Sequence, residues 1–139
     1  MRRARRGLRP RRHGLFCRLV TAMGAGRLDG VAVYVSGPMS GFEGFNKPAF
    51  DAMAAKCWDE GARFVVNPAD LVPLFEEGRI DVHQCMKSDI NKLLLCDAIV
   101  MLPGWEESAG ALLERDIAIA VGMEVMEAGE VGHVVREEP

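Results

Sequence analysis

Two carboxylates fall where apolar side chains belong. Glu114 shares a helical face with Ile117, Ala118 and Val121, at i+3, i+4 and i+7. On the wheel of an earlier segment, Asp89 falls between Cys85 and Met86, inside a stripe of Val82, Cys85, Met86 and Leu93. A charge taken out of water into such a stripe needs a partner or a purpose. The plainer alternative for Glu114 is an acid at a helix start that reaches solvent, where the dipole favours it. Two carboxyls flanking one small site suit glycosidic chemistry. One attacks the anomeric carbon while the other moves a proton, the pair roughly 5–8 Å apart. On that reading Glu114, near a helix N-terminus, stays ionised as a nucleophile must. Asp89, set among apolar groups, stays protonated and serves as the acid. Buried acids also serve as structural caps, so the pair alone leaves both roles open.

The elements that would position this pair follow from periodicity. Val31 to Ser36 (VAVYVS) is a buried strand, ending in the turn-forming run Gly37-Pro38-Met39-Ser40-Gly41. Asn46 caps a helix with Pro48 in its first turn, a stripe of Phe50, Met53, Ala54, Cys57 and Trp58, and Gly61 at its end. Arg63 to Val66 is a short strand stopped by Asn67-Pro68, and residues 69–81 read as loop with one helical turn. A helix over Val82 to Leu95 carries Asp89. The wholly apolar Ala98 to Leu102 is a central strand, a helix over Ser108 to Val121 carries Glu114, and Glu124 to Ala128 is the last strand. Strand and helix alternate, so the expected fold class is α/β: a small Rossmann-like (flavodoxin-like) parallel sheet of four to five strands with helices on both faces. Such sheets bind ligands beyond the carboxyl ends of their strands, at the switch point. The loops there are Gly37–Gly41 and Pro103–Gly110, with Ser108 and Gly110 at the start of Glu114's helix and Tyr34, Phe42 and Trp105 near the crevice. Tyr34 either holds a sugar hydroxyl or packs within its strand. Trp105 either stacks on a nucleobase or serves as a lid or interface residue. Met39 and Phe42 are packing or loop-lid residues.

Composition narrows the classes. Residues 1–27 hold nine arginines and no acid; the remainder holds eight basic and all 20 acidic residues, a net −12. An acidic body is a poor nucleic-acid surface, whereas the basic arm could bind nucleic acid non-specifically, or be a disordered extension ahead of a start at Met23. The expected organisation is a basic extension over 1–28, a domain over 29–130 and a polar tail over 131–139. No apolar run is long enough to cross a bilayer. Cys17, Cys57, Cys85 and Cys96 show no C-x-x-C spacing and form no metal-ligand pattern with His13, His83 and His133. They read as reduced thiols of a cytoplasmic protein, with no metal expected. There is no G-x-G-x-x-G, P-loop or G-x-S-x-G, so no nucleotide cofactor is expected either.

Tyr34-Val35-Ser36-Gly37-Pro38, Asp89 with Asp97 eight residues on, and Ser108-x-Gly110-x-x-x-Glu114 together resemble the nucleoside 2-deoxyribosyltransferase-like superfamily, including its deoxynucleoside 5′-monophosphate N-glycosidases. A small phage-type family within it, reading Y-x-S-G-P-M and later P-G-W-x-x-S-x-G, is the nearest likeness; it covers roughly residues 31–128. The resemblance implies a glycosyl-enzyme formed on Glu114 and proton transfer to the base by Asp89. It also implies substrate contacts from Tyr34, Ser36, Gly37, Pro38, Met39, Trp105, Ser108 and Gly110. The position of Ser108 is an aspartate in the classical transferases and a serine near phosphate in the monophosphate glycosidases. The loop after strand one lacks the arginine a phosphate site would use, and Lys47 is the nearest cation.

The function expected is cleavage or transfer at the N-glycosidic bond of a (deoxy)nucleoside or its 5′-monophosphate, with a non-catalytic nucleotide-binding module or a pure interaction domain as alternatives. The expected partner is the small-molecule nucleoside or nucleotide. A second apolar line on the last helix, Leu112 and Ile119 with Ala111 beside them, predicts a homodimer or higher with the catalytic loop near the seam. The related transferases are homo-oligomers as well.

Overall fold

The computed structural model describes residues 28–132. Eight elements follow one another: β1 (Ala32–Ser36), α1 (Lys47–Asp59), β2 (Phe64–Val66), α2 (Val72–Glu76), α3 (Val82–Leu93), β3 (Ala98–Met101), α4 (Ala109–Ala120) and β4 (Glu124–Glu127), with short 3₁₀ turns between several of them. The strands form one sheet in the order β2-β1-β3-β4. All pairings are parallel, with Tyr34 beside Val66 on one side and Ile99 on the other. The chain leaves β1 for β2 and returns on the opposite side as β3, so the switch point lies between β1 and β3. This is the expected small Rossmann-like α/β domain, with four strands.

β1 and β3 are central, and every one of their residues is buried. Their alternate side chains feed two cores. Val33, Val35, Val100 and Leu102 pack with Phe50, Met53 and Cys57 of α1 on one face. Tyr34, Ile99 and Met101 pack with Leu93 of α3 and Ala111 and Ala118 of α4 on the other. Each large apolar side chain so buried stabilises by about 1.5–3 kcal/mol. Asp97 locks the register at the amino end of the sheet: its Oδ2 accepts from the Ala32 N–H at 3.0 Å and from Arg63 Nη2 at 3.4 Å. That end is remote from the strands' carboxyl ends, which makes Asp97 a structural residue.

Several helical expectations need correction. Trp58 is 51% exposed, because it lies at the edge of α1's stripe. Asn46 occupies the position before α1 but does not cap it; its Nδ2 donates instead to the Pro38 carbonyl at 2.9 Å. The stretch after β2 is more helical than one turn: Asn67 caps a 3₁₀ turn over Pro68–Leu71 that runs into α2. α3 ends at Leu93 and starts with a reciprocal cap, Asp81 Oδ1 accepting from Gln84 N at 2.9 Å and Gln84 Oε1 from Asp81 N at 2.8 Å. The Asp-x-x-Gln spacing signalled that cap. Val82, Cys85 and Met86 do share a face, but only Leu93 of the stripe is buried, and Val82 is 59% exposed. The first turns of α3 overhang a cavity rather than the sheet. Val121, past the end of α4, is exposed too, and Ala111 faces the sheet beside Glu114 rather than lying outward with Leu112.

Leu28 and Val131 are both buried in the core around α1. The basic arm over residues 1–27 and the tail beyond Gly132 lie outside the described residues. Among the described residues no helix is long and apolar enough to cross a membrane.

The two loops at the switch point are fitted to one another. A Cβ on Gly37 would come 2.7 Å from Leu102 Cβ, and one on Gly104 would come 3.3 Å from Pro38 Cγ. Gly37 is therefore a packing glycine where the β1 loop crosses the end of β3. Gly37→Ala is expected to destabilise by about 1–3 kcal/mol, the range for overpacking. Urea denaturation checks it, as a lower midpoint with an unchanged m-value.

Candidate active site

Glu114 sits in the second turn of α4, beyond the first turn where the helix dipole acts strongly. It does not reach solvent: it is 6% exposed. Both its oxygens are held from β1 below. Ser36 Oγ donates to Oε1 at 2.6 Å and Tyr34 Oη donates to Oε2 at 2.8 Å. Alternation brings this about, because Tyr34 and Ser36 are two apart and point to the same face of β1 as α4. Burial pushes Glu114's carboxyl above the usual range, and the Ser36 and Tyr34 hydrogen bonds pull it back only in part. Two hydroxyls, more than the helix end, favour the charged form of Glu114. Tyr34 is raised well above its ordinary value by burial and then by Glu114 and Asp89, so it remains a donor.

Asp89 projects from α3 into the same cavity, of about 220 Å³, at whose wall Glu114 also lies. Burial, then the charge of Glu114, pushes Asp89 up to about 7, with Lys92 opposing. Its Oδ1 is buried without a hydrogen-bond partner among the described residues. The two carboxyls therefore differ: Glu114 is hydrogen-bonded through both oxygens, while Asp89 lines the cavity with one oxygen buried and unpartnered. Environments this different can hold two carboxyls in different protonation states at one pH.

Of the residues expected at the site, Gly37, Met39, Ser108 and Gly110 line this cavity with the pair. Ser108 also caps α4, its Oγ accepting from Ala111 N at 3.2 Å. Tyr34 and Ser36 lie under Glu114 and act through it. Pro38 is buried behind the loop, its carbonyl taken by Asn46. Trp105 is not at the cavity: its Nε1 donates to Glu127 Oε1 at 3.2 Å, and the Arg115 guanidinium lies 4.7 Å over its ring. An indole so engaged ties the β3 loop to the end of β4. Phe42 is exposed. Lys47 is paired with Asp51 at 3.0 Å. Among the described residues no lysine, arginine or histidine lines the cavity.

Sequence reasoning missed Ser40, Phe50, Pro68, Ala111, Val82, Cys85 and Met86 as lining residues. The signal for the last three was present in their shared helical face, which was assigned to the sheet. A second cleft, of about 120 Å³, adjoins the first and shares Met39, Ser40, Pro68, Val82, Cys85 and Asp89 with it. Burial, then Asp89 and Asp81, raises the Cys85 thiol, and burial raises Cys57 to about 12 and Cys96 to about 11. These are poor nucleophiles at neutral pH.

Fold and site together define a small Rossmann-like α/β domain with two unlike carboxyls at its switch point. The sequence model of the family described as "Domain of unknown function (DUF4406)" matches residues 31–127, and the chain belongs to that family. No curated protein matches the chain.

Proposed function

We propose that this domain cleaves or transfers at the N-glycosidic bond of a (deoxy)nucleoside, as the likeness to nucleoside 2-deoxyribosyltransferases suggests. The observation that carries the proposal is the division between the carboxyls: Glu114 fixed by Tyr34 and Ser36, Asp89 raised to about 7 and unsatisfied in the same cavity. In the first step a Glu114 oxygen donates an electron pair to the anomeric carbon, forming a C–O ester bond. The C–N bond breaks, its pair passing to the base nitrogen, which takes the proton of Asp89. In the second step water, or the N–H of another base, attacks the anomeric carbon and gives its proton to the Asp89 carboxylate. Glu114 leaves with its electron pair, and the configuration is retained.

An uncharged nucleoside is favoured over its 5′-monophosphate. Among the described residues two acidic groups and no cationic side chain line the cavity, so a phosphate would meet like charge with only the start of α4 to offset it. The test is release of free base from a panel of deoxynucleosides and their monophosphates. No release from any member would refute the reading, and a non-catalytic nucleotide-binding module would remain as the alternative.

The same reading includes a second copy of the chain. Leu112 and Ile119 on the outer side of α4 are 39% and 51% exposed, on the helix whose start lines the cavity. An apolar line of that kind suits a two-fold helix contact. Leu112→Glu with Ile119→Lys is expected to give a monomer with impaired activity. Size-exclusion chromatography with light scattering checks it, and a parent protein already monomeric at micromolar concentration would overturn the assembly.

A further inference from the structure

The second cleft has a feature the catalytic cavity lacks. Its far wall is Phe45, Leu71, Val72 and Phe75, all apolar, and its near wall is Asp89. Phe45 is placed there by an unusual backbone. Gly44, Phe45 and Asn46 have φ of 60°, 56° and 64°, three consecutive residues in the left-handed region. A bulky residue rarely holds that conformation, and where one does the surroundings must enforce it. Here Asn46 Nδ2 anchors the turn to the Pro38 carbonyl at 2.9 Å, which is why Asn46 does not cap α1. The Phe45 ring meets Phe75 edge to face, with centroids 5.4 Å apart and planes at 89°. Strain, an anchoring hydrogen bond and ring packing all serve to put one aromatic face at the cleft.

We infer that this cleft seats the leaving-group heterocycle, read by ring contact and shape and not by hydrogen bonds along its edge, with Phe45 as the specificity-determining residue. The inference rests on the N-glycosidic reading of the site and names the part of the substrate this cleft takes. Asp89 belongs to both cavities, so a ligand spanning them has its sugar beside Glu114 and its ring beyond Asp89. The Asp89 carboxyl then lies at the junction where the leaving nitrogen needs a proton. Among the described residues, only the Ser40 hydroxyl and the weakly polar Cys85 thiol offer side-chain polar atoms apart from Asp89. A wall so apolar cannot reject one exocyclic substituent strongly, so bases of one ring size should differ by no more than about a hundredfold in kcat/KM.

The test uses Phe45→Gly, because glycine accepts the left-handed backbone without strain while deleting the ring, and Phe75→Leu as a second variant on the same wall. Thymine, cytosine, adenine and hypoxanthine are titrated by calorimetry, and their 2′-deoxynucleosides are assayed for base release. Both variants should weaken base binding and raise KM by about tenfold or more for every base, with most of the effect in KM. Glu114→Gln should bind free bases as the parent does. Turnover with base affinity and KM unchanged in both variants would overturn the cleft assignment and leave the glycosidic reading standing. Base binding that is lost in Phe45→Gly, without release from any nucleoside, would uphold the cleft and refute the glycosidic reading. An absence of both in the parent overturns both.

Discussion

Glu114→Gln should lower base release by about 10⁴-fold or more, the scale on which removal of a covalent nucleophile acts. The choice of glutamine follows from the hydrogen bonds. A lone carboxylate in an apolar stripe could be removed at little cost to stability. Glu114 is not alone: Glu114→Ala would leave the buried Ser36 and Tyr34 hydroxyls without their acceptor, at about 1–3 kcal/mol for each unsatisfied group. Glutamine keeps the volume, an oxygen for one hydroxyl, and an N–H₂ that the other hydroxyl's oxygen can accept. A loss of turnover in this variant therefore reports on nucleophilicity and not on unfolding. Chromatographic assay of free base decides it, beside a denaturation curve to show the fold intact. Activity within tenfold of the parent would remove Glu114 from the nucleophile's role.

The strands were legible because β1 and β3 are continuous apolar runs, which only a sheet covered on both faces accommodates. The order of alternation then led to the parallel sheet and to a crevice at its carboxyl ends. Glu114 and Asp89 were legible as misfits within stripes. What held Glu114 was not, because Tyr34 and Ser36 precede it by 80 and 78 residues. Periodicity places them on one face of β1 but does not say which helix covers that face.

The errors share a cause. A helical wheel marks which residues share a face and not what that face meets. Val82, Cys85 and Met86 form a stripe like any that covers a sheet, yet the first turns of α3 reach past the sheet and face the cavity. Ala111 was grouped with Leu112, its chain neighbour, although it packs on the sheet face with Ala118. Trp105 was placed near the crevice by its loop, but Arg115 and Glu127 supply a cation and a carboxylate that hold the indole elsewhere. The left-handed turn at Gly44-Phe45-Asn46 had a signal in Gly44 and Asn46, which favour that conformation, but none in Phe45, which seldom adopts it.

Asp89→Asn should lower kcat/KM by about 10²–10⁴-fold, the contribution of a general acid, and should also change the shape of the pH profile. In the parent the first step needs Glu114 ionised and Asp89 protonated. Activity should therefore rise as pH climbs past the raised Glu114 value and fall again above about 7, where Asp89 loses its proton. Asparagine cannot titrate, so the alkaline fall near 7 should disappear in the variant. Stability moves with the opposite sign from that of a salt-bridged acid. Asp89 binds its proton more tightly folded than unfolded, so the folded state carries more protons between the ordinary aspartate range and about 7. Its contribution to stability is whole at low pH and declines as pH rises through that window. The variant lacks this decline, so its melting temperature relative to the parent should increase from about pH 4 to about pH 7 and then level off. A relative melting temperature that stays flat across the window would show that Asp89 titrates normally, and would remove it from the acid's role.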